Sequence, residues 1–221
     1  MKHSKTLFSL FLSATLSVTS VLAPTMAHAG DSNNSPQTFA ILGAVGSLAF
    51  ACYQGKPPCV LGNHINTDEL SVSFDHGEDL TLTNNRLAIG ANWDEKVYES
   101  ESWELVGRWD LSFHKWTSDQ KNNPGTKSGT IIGLSPVFHY QLKNMAYTPY
   151  IELGGGPHLL SDVQIEDENK STQFQFGSIF GLGIKREGIE IGYRYLHISN
   201  ANIKMPNPGT DIHSLHLGYH F

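Results

Sequence analysis

The chain has 221 residues, with 15 Lys and Arg against 21 Asp and Glu, for a net charge of −6 at pH 7. Binding to nucleic acid calls for a Lys/Arg stripe, and no basic cluster occurs, so that class is set aside. About 190 residues remain after a short leader, enough for one ordinary domain or one small barrel.

Lys2 and Lys5 precede an apolar run from Leu7 to about Ala23, and Ala27-His28-Ala29 follows as a small-x-small cleavage signal. Residues 1–29 therefore read as a secretory signal peptide cut after Ala29. Residues 30–68 form an N-terminal extension of unclear structure. Gly30 to Gln37 is polar, while Phe39 to Phe50 is apolar without a clean period of two. An extra strand, a short helix packed in a barrel mouth and a periplasmic segment all fit, because periodicity does not separate them. A spanning helix needs roughly eighteen continuous apolar residues; the nearest run, Phe39 to Cys52, is shorter and contains Gly and Ser, so a helical membrane protein is not expected. Export meets an oxidising compartment, which makes a disulfide between Cys52 and Cys59 the natural reading of the two cysteines. Neither has His or Cys partners at ligand spacing, so no metal is expected there.

From Glu69 to the end the chain alternates, and residues 69–221 read as a barrel. Leu70, Val72 and Phe74 share one face of the first run; Leu87, Ile89, Ala91 and Trp93 share one face of the second. The third run sets Trp103, Leu105, Gly107, Trp109, Leu111 and Phe113 against Glu104, Arg108, Asp110 and His114. Further runs carry Ile132 to Tyr140, Tyr147 to Leu153, Phe174 to Ile184, Ile189 to Tyr195 and Leu215 to Phe221. That makes eight strands, with short connections after the second, fourth and sixth and long ones after the third, fifth and seventh. The pattern predicts an all-β, eight-stranded antiparallel transmembrane β-barrel of the bacterial outer membrane. A soluble lipocalin-like barrel would place its apolar faces inward. Three features favour the membrane: strand length, the terminal Phe221 in phase with the apolar face, and aromatics near run ends (Trp93, Trp103, Trp116, Tyr140, Tyr147). The polar face becomes a filled interior in which Glu104, Arg108, Asp110, Glu152, Glu190 and Arg194 pair with one another.

His197 and Ser199 continue the lipid-facing parity of Ile189, Ile191, Tyr193 and Tyr195, and Asp211 shares the parity of Leu215 to Phe221. Polar groups facing lipid call for a purpose. Residues two apart on a strand lie about 6.5 to 7 Å apart, within reach of an imidazole, and a cross-strand partner lies closer still. Pairing His197 with Asp211 gives Ser199 as nucleophile, His197 as general base and Asp211 as the group that holds the imidazole. An even strand count puts both termini in the periplasm and this site at the outer leaflet, facing a lipid substrate. Oxyanion donors are sought in the amides of Asn200 and Ala201 or the Asn200 side chain; the alternative is that Asn200 and Asn207 only satisfy a tight loop. His213, His216 and His220 do not share a face, so no metal site is expected among them.

His197-x-Ser199-Asn200-Ala201, then Pro206-Asn207-x-Gly209 and Asp211, resembles the lipid A 3-O-deacylases of the PagL type. The resemblance implies an outer-membrane barrel that hydrolyses the ester-linked acyl chain at position 3 of lipid A, with lipopolysaccharide as substrate, no metal and no cofactor. It also allows a homodimer. Two positions depart from the family pattern: Asp211 stands for Glu, and Asn202 stands for Gly. Other readings of the same barrel are a non-catalytic adhesion or envelope-stability protein, and an outer-membrane phospholipase or acyltransferase.

Overall fold

The computed structural model describes residues 35–60, 64–121 and 125–221; the signal-peptide reading of residues 1–29 lies outside them. Among the described residues one helix, α1 (Ser35–Tyr53), precedes eleven strands: β1 (Ile65–Asp79), β2 (Leu82–Trp93), β3 (Tyr98–Glu99), β4 (Trp103–Ser118), β5 (Ser128–Leu142), β6 (Thr148–Leu160), β7 (Gln164–Ile165), β8 (Glu168–Asn169), β9 (Phe174–Arg186), β10 (Ile189–Ser199) and β11 (Thr210–His220). The two-residue strands β3, β7 and β8 decorate the ends. The other eight pair antiparallel in the order β2-β1-β11-β10-β9-β6-β5-β4, and β4 pairs with β2 to close the barrel. Closure leaves no edge of unpaired amides, the condition for standing in hydrocarbon.

The alternation sorts side chains as the sequence predicts. Leu87, Ile89, Leu111, Ile132, Leu182, Ile191 and Leu217 are exposed on the outer wall, while Asp75, Arg86, Arg108, Asp110, Glu152, Glu190 and Arg194 are buried within. The inner charges form one network. Arg86 bridges Asp75 (3.0 Å) and Asp110 (3.1 Å), Arg108 bridges Asp110 (2.7 Å) and Glu152 (3.0 Å), and Arg194 bridges Asp75 (2.6 Å) and Glu152 (2.7 Å). Buried charges persist when each is answered this way.

The interior differs from the expectation in two respects. Glu104 does not join the network; it bonds Gln141 (2.6 Å) and Lys96 (2.7 Å), well away from Asp75 and Arg194. The other end of the lumen is apolar, with Leu82, Trp116, Ile131, Leu160, Ile179, Leu196, Ile198 and Ile212 packed together. Trp116 is thus an interior residue, because its parity is that of Asp110 and His114. Short turns at Asp94–Val97, Lys143–Tyr147 and Glu187–Gly188 lie at the end that also holds Phe221, and this is the periplasmic end. The opposite end carries the tight turn at Leu80–Thr81 and the loops 119–127, 161–173 and 200–209.

The extension contains the largest departure. Residues 35–53 form a helix of 19 residues, and its Pro36–Tyr53 stretch is long and apolar enough to cross a membrane by length and composition, contrary to the expectation that no segment reaches that measure. Nor does α1 enter the barrel mouth. Phe138 and Leu153 have outward parity yet are buried, and α1 is what covers them: Gly43 lies against Leu153, and Ala51 joins the apolar cluster of Trp93, Val97, Leu105 and Phe138. The helix therefore lies on the outer wall. At its carboxyl end Cys52 and Cys59 are joined as a disulfide and Lys56 ion-pairs with Glu95 in the turn after β2.

Candidate active site

The hairpin of β10 and β11 sets His197 directly opposite Asp211, with Tyr195 opposite His213. The register follows from parity: a one-residue slip would turn Ile189 and Leu217 into the lumen and Arg194 into lipid. Across the pair, His197 Nδ1 lies 2.6 Å from Asp211 Oδ1. The same oxygen accepts a bond from the Tyr195 hydroxyl at 2.8 Å. His197 is 3% exposed and Tyr195 2%, whereas the Asp211 side chain keeps 31% of its surface. A carboxylate at Nδ1 makes that nitrogen the donor and leaves Nε2 as an acceptor, the tautomer a general base requires.

Ser199 ends β10, half-buried, two residues along from His197 and opposite Phe176. The bonds of His197 go to Asp211 and to Gln37, whose Nε2 lies 3.1 Å from His197 Nε2; Ser199 is not among its partners here. The hairpin thus brings His197 and Asp211 into contact and leaves Ser199 two residues along the same strand from His197, without a bond between the two.

The loop 200–209 frames this patch. Ala201 and Asn202 both have positive φ (52° and 61°), and the Ile203 amide donates to the Asn200 carbonyl at 3.1 Å. These are the marks of a type I′ turn, whose two central residues must be left-handed. Gly fits there best and Asn is among the few other residues that tolerate it, which accounts for Asn202 where the family pattern has Gly. Asn200 is the clamp of the loop: its amide donates to Asn207 Oδ1 (2.8 Å), and its carboxamide donates to the carbonyls of Lys170 (3.0 Å) and Lys204 (2.7 Å). These donors are already engaged, as the tight-loop alternative for Asn200 and Asn207 requires. Ala201 occupies the first left-handed position of the turn.

Three further residues support the site. Lys170, 1% exposed, donates to Glu168 (2.6 Å) and to the carbonyls of Pro208 and Gly209 (3.2 Å each), tying the loop to the β7–β8 hairpin. Burial pulls its pKa below the ordinary lysine range, against the pull of Glu168. Gly209 packs on the imidazole so closely that a Cβ there would sit 2.5 Å from His197 Cε1. Tyr195 was expected only as a lipid-facing residue of its strand; its parity with His197 was the available signal for its contact with Asp211. Among the described residues no group of His, Cys, Asp and Glu is arranged to hold a metal.

Comparison with known proteins identifies the family of the chain. Residues 84–220 match the family model described as Lipid A 3-O-deacylase (PagL). Lipid A deacylase PagL of Pseudomonas aeruginosa is 30% identical over 131 residues, covering 59% of this chain and 73% of that protein. Lipid A deacylase PagL of Bordetella bronchiseptica is 45% identical over 154 residues, covering 66% of this chain and 78% of that protein. A crystal structure of the outer membrane enzyme PagL superposes with a TM-score of 0.62 at 26% identity, covering 67% of this chain and 98% of the other.

Proposed function

Because the chain belongs to the lipid A 3-O-deacylase (PagL) family, we propose that it removes the ester-linked 3-O-acyl chain of lipid A by serine catalysis on the lipid-facing wall of its barrel. The observation that carries this reading is the 2.6 Å bond between His197 Nδ1 and Asp211 Oδ1, made on a surface that otherwise faces hydrocarbon. Lipid A lies in the membrane plane, so its ester reaches such a site without leaving the bilayer.

Ser199 Oγ gives its proton to His197 Nε2 and attacks the ester carbonyl, while Asp211 holds the imidazole and stabilises the imidazolium. His197 then returns the proton to the departing sugar oxygen as the C–O bond breaks, leaving an acyl group on Ser199. Water, deprotonated by the same nitrogen, attacks the acyl carbon and releases a 3-hydroxy fatty acid and free Ser199. The oxyanion calls for aimed donors, and the Ala201 amide is the candidate that supports this reading best; Asn200 acts first by holding the loop that presents it.

Mass spectrometry of lipid A from cells producing the wild type, Ser199→Ala or His197→Ala tests the proposal. Loss of one 3-hydroxyacyl group with the wild type alone is expected. Unchanged lipid A with a folded wild type, or deacylation that survives both substitutions, contradicts it.

A further inference from the structure

The α1 helix reaches from the periplasmic end of the wall to the active site. Ala40, Ser47 and Ala51 are buried on its barrel side, and Gly43 approaches so closely that a Cβ would lie 2.4 Å from Leu153 Cδ2. Phe39 meets Phe180 edge-on at 5.0 Å, and Ser47 Oγ bonds the Tyr140 hydroxyl at 2.9 Å. The disulfide of Cys52 with Cys59 and the Lys56–Glu95 ion pair fix the carboxyl end. The amino end brings Gln37 to His197 Nε2. Since Asp211 takes the proton of Nδ1, Nε2 is an acceptor and the Gln37 carboxamide donates to it. That nitrogen is the one Ser199 needs. The helix precedes the residues matched by the family model, which begin at 84.

We infer that Gln37 is a positioning residue of the active site, carried on α1 as a strap: it caps His197 Nε2 in the resting enzyme and yields when lipid substrate enters. The inference rests on His197 acting as general base. Held between Asp211 and Gln37, the imidazole keeps one tautomer and one orientation, and Ser199 is deprotonated only after the carboxamide leaves. Because α1 covers the flank above β5, β6 and β9, the acyl chain approaches from the other side, over Tyr193, His213 and Leu215, which are exposed.

The test is the rate and pH profile of lipid A deacylation by purified, folded wild type, Gln37→Ala and Gln37→Glu in detergent-lipid micelles. Removing the cap in Gln37→Ala should raise the rate about five-fold, the equivalent of a net hydrogen bond of ~1 kcal/mol. Gln37→Glu places a carboxylate at Nε2, favours the imidazolium and should move the acid limb of the profile up by about one pH unit or more. A helix that merely packs on the wall would leave that limb in place. The inference is overturned if Gln37→Ala is unchanged or slower, or if Gln37→Glu leaves the acid limb unmoved. NMR titration of the His197 imidazole in a Ser199→Ala background reads the contact without catalysis: Gln37→Glu should raise its pKa there too, and no change overturns the contact. Deacylation that survives His197→Ala would instead defeat the general-base assignment, whatever the titration shows.

Discussion

Two sets of histidine–carboxylate contacts occupy opposite faces of the same wall. Inside, Asp75 is held by Arg86, Arg194 and His216, and Glu152 by Arg108, Arg194 and His139. Outside, Asp211 has His197 and Tyr195, and the far nitrogen of His197 bonds the Gln37 carboxamide. The same residue types therefore do different work because of what surrounds them. The inner carboxylates are saturated by cations and have no approach for a reactant, so they hold strands together. Among the described residues the outer pair has no Arg or Lys partner, and in the proposed reaction it serves the substrate instead.

Substitutions on the two faces should separate accordingly. On the outer face Ser199→Ala and His197→Ala are expected to cost about 10⁶-fold in rate with the barrel still folded, read as deacylation by purified protein. Asp211→Asn keeps the shape but lets the imidazole take the wrong tautomer, and should cost about 10⁴-fold. Asp211→Glu, the acid of the family pattern, should retain most activity. On the inner face Asp75→Asn leaves Arg86 and Arg194 facing each other with one carboxylate fewer, and should cost about 3–5 kcal/mol of unfolding free energy in urea while sparing the rate per folded molecule. A large loss of rate in folded Asp75→Asn would mean that the two faces are coupled. A modest loss is expected of Tyr195→Phe, which removes one donor to Asp211 and should slow the reaction about five-fold, the rate equivalent of ~1 kcal/mol.

The barrel was legible because alternation is a local property: each run states which residues share a face, and a closed antiparallel sheet follows. The His197–Asp211 pairing was legible for the same reason, since parity and a single hairpin decide it. Alternation does not say how deep a residue lies along the barrel axis, so Glu104 was grouped with Arg108 although it sits beyond the network, and Trp116 with the outer aromatics although it packs inside. The α1 helix was hidden by its setting. One side presents small residues to the barrel (Ala40, Gly43, Ser47, Ala51) and the other presents Val45 and Leu48 outward, so no polar face marks a helical period. The contact of Gln37 with His197 joins residues 160 apart and has no local signature at all.

The direct test of the outer-face site is covalent trapping of its nucleophile. A long-chain fluorophosphonate, offered to the wild type in detergent-lipid micelles and followed by peptide mass spectrometry, should leave one adduct, on Ser199, and none in His197→Ala. An adduct on another residue, or labelling of Ser199 that is undiminished in His197→Ala, would contradict the account.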